Sequence, residues 1–240
     1  MNHHLYGDHG IVLRTYKLGE SDRIVSLVTE RHGKVRAVAK GVRKTKSRFG
    51  ARLEPIRHVA IQLYEGRELD TVTQAESIDH FAAIRSDLDR LTRAVTMLEA
   101  VDQLAQEREP NPRLYQMLLG ALRSLEVRDA PLVVAGFYWK VLALEGFRPI
   151  VEGCVNCGVE DGLVAFDLEE GGTLCAEHRQ GSAISLEAVE VLRLILGGRL
   201  GEALNQPVGA VAFEVDNLAT RAMEHHLERR LRSVHLLDKS

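Results

Sequence analysis

The chain has 240 residues, a formal net charge of -3, and 45% hydrophobic and 27% charged residues. This composition is typical of a globular protein, and the overall charge does not indicate a nucleic-acid-binding protein. No apolar run approaches the ~20 residues that span a bilayer, and the start MNHHLYGDHG lacks the apolar core of a signal peptide. The three cysteines, an odd number, argue against a disulfide framework. We therefore expect a cytoplasmic protein.

The first 80 residues predict short β-strands. The candidate strands are rich in Val, Ile, Leu and Thr, and several of them alternate apolar with polar residues. They are residues 10–16, 22–30, 33–42, 57–66 and 69–76. Five strands in about 70 residues favour a five-stranded OB-fold β-barrel, which is a known nucleic-acid platform. We expect this barrel over residues 1–80, and an SH3-like barrel is the alternative.

The remainder of the chain predicts helices. From Ile84 onward apolar residues recur at steps of three and four, which indicates one long helix that ends before the PNP of residues 110–112. We expect further helices over 113–125, from Pro131 to about Gly146, and over 216–232. The fold class is therefore α+β, with an all-α domain over 81–240 that carries a small insertion at about 150–182.

The insertion contains two pairs of metal-ligand residues. Cys154 and Cys157 form CVNC, Cys175 and His178 form CAEH, and the segment between the pairs predicts a hairpin. Two knuckles of this spacing supply the four ligands of a tetrahedral Zn²⁺ site, and four protein ligands leave no open position, so the zinc would be structural. The alternatives are ordinary buried thiols with a redox-active C-x-x-C pair, or a three-ligand site if His178 points away.

Basic residues are concentrated in one part of the predicted barrel. Residues 31–57 contain ten Lys and Arg but one acid, Glu54. Such a strip attracts phosphates and releases counterions, although a solvated loop is the alternative. Phe49 lies within this strip, and two roles are open to its side chain: stacking on a base, or packing in the core. The residues that we expect to contact DNA are Lys34, Arg36, Lys40, Arg43, Lys44, Lys46, Arg48 and Arg52.

The last predicted helix carries a second basic stripe. Arg221, Arg229 and Arg232 recur at helical spacing together with His225. These three arginines are candidates for a second DNA or partner surface, with a solvated helix face as the alternative.

Catalytic motifs are missing from the sequence. It contains neither a phosphate-binding GxxxxGK[ST] loop nor a G-x-S-x-G nucleophile elbow, so we do not predict an enzyme. Two other classes stay open: a zinc-dependent nuclease or deaminase, and an adaptor whose basic segment binds acidic protein tails.

With these features in place, the sequence resembles the RecO family of bacterial recombination-mediator and DNA-repair proteins. The resemblance rests on residues 10–55 and 62–76, on the CVNC and CAEH pairs, and on the closing HHLERRLRS. It implies an OB-fold, a helical domain with a zinc-binding insertion, and binding to single- and double-stranded DNA. It also implies strand annealing and, with RecR, loading of RecA onto strands coated by single-strand-binding protein, whose acidic C-terminal tail would be a partner. The protein would then act at the nucleoid.

Overall fold

A computed structural model of the chain describes residues 4–44, 47, 49–128 and 130–231. These residues form two compact units, one running up to Val127 and the other spanning Arg128–Arg230. The first unit holds a barrel and the three helices that follow it. The boundary at 80/81 between the two expected domains stays a prediction. Among the helices of the described ranges, none is both long and apolar enough to cross a membrane.

The first unit begins with a closed five-stranded barrel in the order β1-β2-β3-β5-β4. Strand β1 is long enough to pair with β4 through its first half and with β2 through its second half. Strands β3 and β5 pair in parallel and close the barrel. The strands are β1 Leu5–Leu18, β2 Asp22–Thr29, β3 Gly33–Ala39, β4 His58–Tyr64 and β5 Asp70–Asp79. The predicted five-stranded OB-fold barrel is confirmed.

The barrel encloses an aliphatic core. In β3, Val35, Ala37 and Ala39 are buried and alternate with residues that face outward, as the period of a strand requires. Phe49 and Leu53, from the connection between β3 and β4, join the same core cluster. Of the two roles open to Phe49 the core role is therefore the correct one, since its side chain is 1% exposed and cannot stack on a base.

Three helices complete the first unit: α1 Ala82–Ser86, α2 Leu88–Leu104 and α3 Pro112–Val127. The expectation of one long helix from Ile84 is wrong, because Asp87 adopts an extended conformation and its side chain accepts a hydrogen bond from the Arg90 N–H at 2.9 Å. An Asp in this position caps a new helix. The helical spacing of the apolar residues continues across Asp87, the single residue between α1 and α2.

The second unit contains four helices and a small sheet. Its helices are α4 Val133–Leu144, α5 Leu186–Leu196, α6 Leu200–Ala203 and α7 Ala210–His226. Helix α4 is buried on nearly all sides, as its sequence predicts. The predicted hairpin is confirmed as β6 Leu163–Asp167 and β7 Gly172–Cys175, and β8 Ser182–Ala183 adds a third strand beside β6. Helices α5 and α6 were not predicted.

The predicted helix over 216–232 is wrong at both ends, since α7 begins at Ala210 and ends at His226. Glu228 takes up a positive φ of 50° just beyond this end. The Arg229 N–H bonds the Glu224 carbonyl and the Glu228 N–H bonds the His225 carbonyl, both at 3.1 Å. These two bonds form a Schellman closure. The sequence does not predict this closure, because Glu228 occupies the position at which glycine is usual.

Candidate metal centre and nucleic-acid interface

The structure brings the two ligand pairs of the second unit together. One ligand atom from each of Cys154, Cys157, Cys175 and His178 lies within 4.8 Å of all the others. The Cys157 and Cys175 sulfurs are 3.8 Å apart, and His178 Nδ1 lies 3.3 Å from the Cys175 sulfur and 3.8 Å from that of Cys154. His178 therefore points toward the cysteines, and all four predicted ligands converge.

These separations fit a tetrahedral metal. With Zn–S bonds of about 2.3 Å, two sulfurs on a tetrahedron lie about 3.8 Å apart. Two cysteines come from the loop before β6, and the second pair comes from the end of β7 and the 3-10 turn that follows it, Ala176–His178. The cluster can hold a metal ion with four protein ligands, which is the arrangement of structural rather than catalytic sites.

Backbone amides around the cluster favour thiolates. Burial disfavours the charged form of Cys154, but N–H groups of Cys175, Cys157 and Asn156 outweigh it, and its pKa is lowered. Burial also opposes the thiolate of Cys175, and the N–H groups of His178 and Glu177 lower the pKa of this cysteine as well. Because the thiolate is the metal-binding form, the turns prepare these two sulfurs for coordination.

The first pair of ligands is attached to β7 through close backbone contacts. The Thr173 hydroxyl is fully buried and donates to the Gly153 carbonyl at 2.9 Å, while the Val155 N–H bonds the Thr173 carbonyl at 2.9 Å. A Cβ on Gly172 would lie 2.3 Å from the Ile150 carbonyl oxygen. Glycine at this position therefore allows the two segments to approach.

A supporting residue that the sequence analysis missed is Arg193 of α5. Its guanidinium donates to the backbone carbonyls of Val151 at 2.8 Å and Glu152 at 3.0 Å, just before the first cysteine. It also forms an ion pair with Glu190 at 2.7 Å. No pattern in the sequence marks Arg193, because its partners are main-chain oxygens about forty residues away.

The predicted DNA-contacting residues of the first unit fall into separate groups. Four of them are exposed around the connection that follows β3, namely Lys40, Arg43, Lys44 and Arg52. The Arg43 and Arg52 guanidiniums donate to the carbonyls of Gly19 at 3.2 Å and Phe49 at 3.4 Å, respectively. Both bonds go to neutral carbonyl groups, so neither of them neutralises the guanidinium charge. Lys46 and Arg48 lie outside the described residues.

Lys40 and Lys44 lie near a single carboxylate. Hydrogen bonds from the Gly41 N–H and the Ser21 hydroxyl lower the pKa of Asp22, and the positive charges of the two lysines contribute in the same direction. Within the described ranges neither lysine forms an ion pair. This end of the barrel therefore presents positive charge to solvent.

Lys34 and Arg36 are engaged differently. Lys34 Nζ donates to the Asp102 carbonyl at 2.6 Å, and Arg36 Nε pairs with Glu107 at 2.7 Å. Both partners belong to α2 or the segment after it, which also bonds the backbone of β3. Lys34 and Arg36 lie on the same face of β3, where they contact α2 and the segment after it, whereas Lys40 lies beyond the end of the strand.

The second predicted stripe is not one continuous helix face. Arg221 lies on α7 and donates to the Ser182 hydroxyl at 2.6 Å, whereas Arg229 is exposed beyond the helix end. Arg232 lies outside the described residues. The expectation that Arg221, His225 and Arg229 lie on one helix is wrong, because α7 ends at His226.

A five-stranded barrel with exposed cations, followed by helices and a three-cysteine, one-histidine cluster that can hold a metal, defines an OB-fold protein with a helical second part. Two family models match the chain. One, described as Recombination protein O N terminal, matches residues 1–81, and the other, Recombination protein O C terminal, matches residues 85–235. DNA repair protein RecO of Bifidobacterium adolescentis is 43% identical over 244 residues, which cover 98% of this chain and 99% of that protein. The chain belongs to the RecO family, and the resemblance seen in the sequence is confirmed.

Proposed function

We propose that this chain is a DNA-repair and recombination mediator without enzymatic activity of its own. It binds single- and double-stranded DNA and anneals complementary strands in the cytoplasm, at the nucleoid. With RecR it helps to load RecA onto DNA coated by single-strand-binding protein. The observation that carries the proposal is the group of exposed cations on the barrel of a RecO-family chain: Lys40, Arg43, Lys44 and Arg52.

Annealing requires two like-charged strands to approach each other. A surface that neutralises phosphates lowers this repulsion without covalent chemistry. We assign the main phosphate contacts to the four exposed cations, together with Lys46 and Arg48. Lys34 and Arg36 contribute less, since each already has a partner. Arg221, Arg229 and Arg232 form a second, weaker surface for DNA or a partner.

The metal that we propose for the cluster is Zn²⁺, with Cys154, Cys157, Cys175 and His178 as ligands. Three sulfurs and one imidazole nitrogen at these separations suit zinc better than the oxygen-preferring cations. Zinc stabilises the fold of the second unit here and takes no part in DNA chemistry.

We place the contact for the tail of single-strand-binding protein on the second unit. Phe147 is 60% exposed and its ring lies 4.3 Å from that of His226, and Ile150 is 48% exposed. Arg148 lies between the two apolar residues in the sequence. Apolar side chains next to a cation suit an acidic, hydrophobic peptide. Phe147→Ala is expected to abolish binding of a tail peptide and to leave oligonucleotide binding unchanged.

The test of DNA binding is the salt dependence of oligonucleotide affinity. The double change Arg43→Gln and Lys44→Gln is expected to weaken binding and to reduce the slope of log K against log salt by about 1.4 for single strands, because each lost phosphate contact removes about 0.7. Strand annealing, with and without single-strand-binding protein on the DNA, should slow in parallel.

A matched control keeps the same change in net charge. Arg67→Gln with Arg113→Gln alters two exposed arginines of the first unit that are remote in sequence from the basic segment, and it should leave the slope as it is in the native protein. If both double variants behave alike, or if neither changes affinity, the assignment of the phosphate contacts is wrong.

A further inference from the structure

An apolar row crosses the outer face of the first three barrel strands. Tyr16 of β1 pairs with Ile24 of β2, which pairs with Val38 of β3. The residues next to them along β2 and β3, Val25 and Ala37, belong to the barrel core. Because side chains alternate along a strand, the row faces outward. Tyr16 is 45% exposed, and the other two are partly exposed.

The neighbouring row on the same face is occupied by helix α2. Asp102 accepts from the Ser26 hydroxyl at 3.0 Å and pairs with Arg14 at 3.3 Å. Arg36, opposite Ser26, pairs with Glu107. The helix and the segment after it thus contact the row of Arg14, Ser26 and Arg36, although the two arginine side chains stay 45% and 44% exposed. The ring of Tyr16 in the next row is exposed as well.

Positive charge borders the exposed row on both sides. The Arg14 guanidinium lies 5.5 Å from the centre of the Tyr16 ring, and one of its nitrogens donates to the Tyr16 hydroxyl at 3.1 Å. Beyond Val38, strand β3 ends at Ala39, and the exposed Lys40 and Lys44 follow in the adjoining connection. An aromatic ring held by a guanidinium and followed by cations without acidic partners is complementary to bases with phosphates alongside them.

We propose that the row of Tyr16, Ile24 and Val38 is a stacking surface for unpaired bases of single-stranded DNA, with Tyr16 as the stacking residue. This inference rests on the proposed DNA-binding function and deepens it. Bases in a duplex are already stacked on one another, so the row contributes to binding of single strands only. Stacking on an aromatic ring tolerates any base, which suits a surface that must accept strands of every sequence.

The test compares single-strand and duplex affinities of three variants by fluorescence anisotropy, with a labelled oligothymidylate and a duplex of the same length. Tyr16→Leu keeps apolar contact with Ile24 and removes the ring. It is expected to weaken single-strand binding about 5-fold or more and to change duplex binding less than twofold. Tyr16→Phe is expected to bind as the native protein does, because the ring and not the hydroxyl stacks. The salt dependence should stay native, since no phosphate contact is lost.

Tyr64→Leu is the matched control. Tyr64 is also 45% exposed but lies on β4, where it pairs with Leu5, at the end of β1 opposite to Tyr16. Three outcomes would overturn the proposal. They are an equal loss of single-strand affinity in Tyr16→Leu and Tyr64→Leu, an equal loss of affinity for single strand and duplex in Tyr16→Leu, and no loss of affinity in Tyr16→Leu.

A second readout reports stacking directly. Trp139 is the chain's only tryptophan and is 2% exposed, so the native protein provides a baseline. In Tyr16→Trp, oligothymidylate should quench the new emission and the duplex should not, and absence of quenching at saturation contradicts stacking. If the native protein binds neither form of DNA, the proposed function itself fails. If the native protein binds both forms of DNA but the Tyr16 variants bind single strands as tightly as the native protein does, the stacking role fails and the proposed function stands.

Discussion

The barrel and the proposed metal-binding segment of residues 150–183 differ in how their stabilising contacts are distributed. The barrel buries a continuous set of aliphatic side chains with Phe49 among them. The segment has three short strands, and its four candidate ligand residues meet at one point. Burial of apolar area is spread over many residues, each contributing a little, whereas the proposed metal site depends on four residues. The same size of chemical change should therefore have very different consequences in the two regions.

Loss of one ligand is expected to have the largest effect. Structural zinc contributes about 10–16 kcal/mol to the folding of small zinc modules, which is as much as the entire stability of a domain, about 5–15 kcal/mol. Cys154→Ser is therefore predicted to unfold the metal-binding segment and to release the metal, while the barrel stays folded and binds DNA. Metal analysis and hydrogen exchange of the two regions measure this.

Asn156→Ala is the matched control for the ligand change. Its side chain is exposed within the same CVNC turn and is not one of the ligands, so full metal content is expected. Native protein with less than about half an equivalent of zinc would contradict the structural role of zinc, as would Cys154→Ser protein that exchanges like the native chain.

A cavity in the barrel core is expected to reduce the free energy of unfolding by less than the loss of a metal ligand does. Its effect should extend over the barrel as a whole. Leu27 is fully buried in the core cluster, and Leu→Ala changes at such sites cost about 2–5 kcal/mol. Leu27→Ala should lower the stability of the barrel in denaturant titrations without loss of metal. A cost below about 1 kcal/mol would show that the barrel core relaxes around the cavity.

Each unit also has one glutamate that binds the start of a helix, and the two allow a direct comparison. Glu126 accepts from the N–H groups of Ala83 and Ile84 at 3.0 Å each, and Glu214 accepts from the Ser185 N–H at 2.7 Å and the Ser185 hydroxyl at 2.6 Å. Lost caps cost about 0.5–2 kcal/mol. Glu126→Ala and Glu214→Ala should therefore destabilise by similar amounts, each in its own unit.

Thermal unfolding measures the loss of stability in each glutamate variant, and hydrogen exchange shows in which unit the loss occurs. If the metal dominates the second unit, Glu214→Ala should retain full metal content. Loss of metal in this variant would mean that α5 and the ligand cluster are more tightly coupled than the contacts of Arg193 alone imply.

The two regions also differ in how far the sequence predicts them. The ligand cluster follows from local spacing, because CVNC and CAEH each place two ligands within one turn. The barrel strands are predicted by the alternation of apolar and polar residues along the sequence. By contrast, the roles of Lys34 and Arg36 depend on Asp102 and Glu107, far away in the chain. The end of α7 depends on a positive φ at Glu228, which no residue preference announces. Tertiary contacts and unusual backbone conformations are the parts that local patterns do not contain.

The smallest effect is expected from pH in the first unit. Buried His58 of β4 bonds Asp79 at 2.7 Å through Nδ1 and the Tyr115 hydroxyl at 2.7 Å through Nε2. Burial lowers the pKa of His58 more than the carboxylate of Asp79 raises it, and the charges of Arg123 and His9 also lower it. The native state therefore favours the neutral imidazole, which links the barrel to α3.

The sign of the pH dependence follows from this pKa. The unfolded chain takes up the proton at about pH 6.5, before the folded chain does, so stability is greatest above that pH and falls as the solution becomes more acidic. His58→Gln removes this titration, and the difference in thermal stability between native protein and variant should shrink between about pH 7 and pH 5. Both proteins keep the same metal ligands, so the difference reports on the barrel unit. A difference that is constant over this range would show that protonation of His58 is not linked to the stability of the fold.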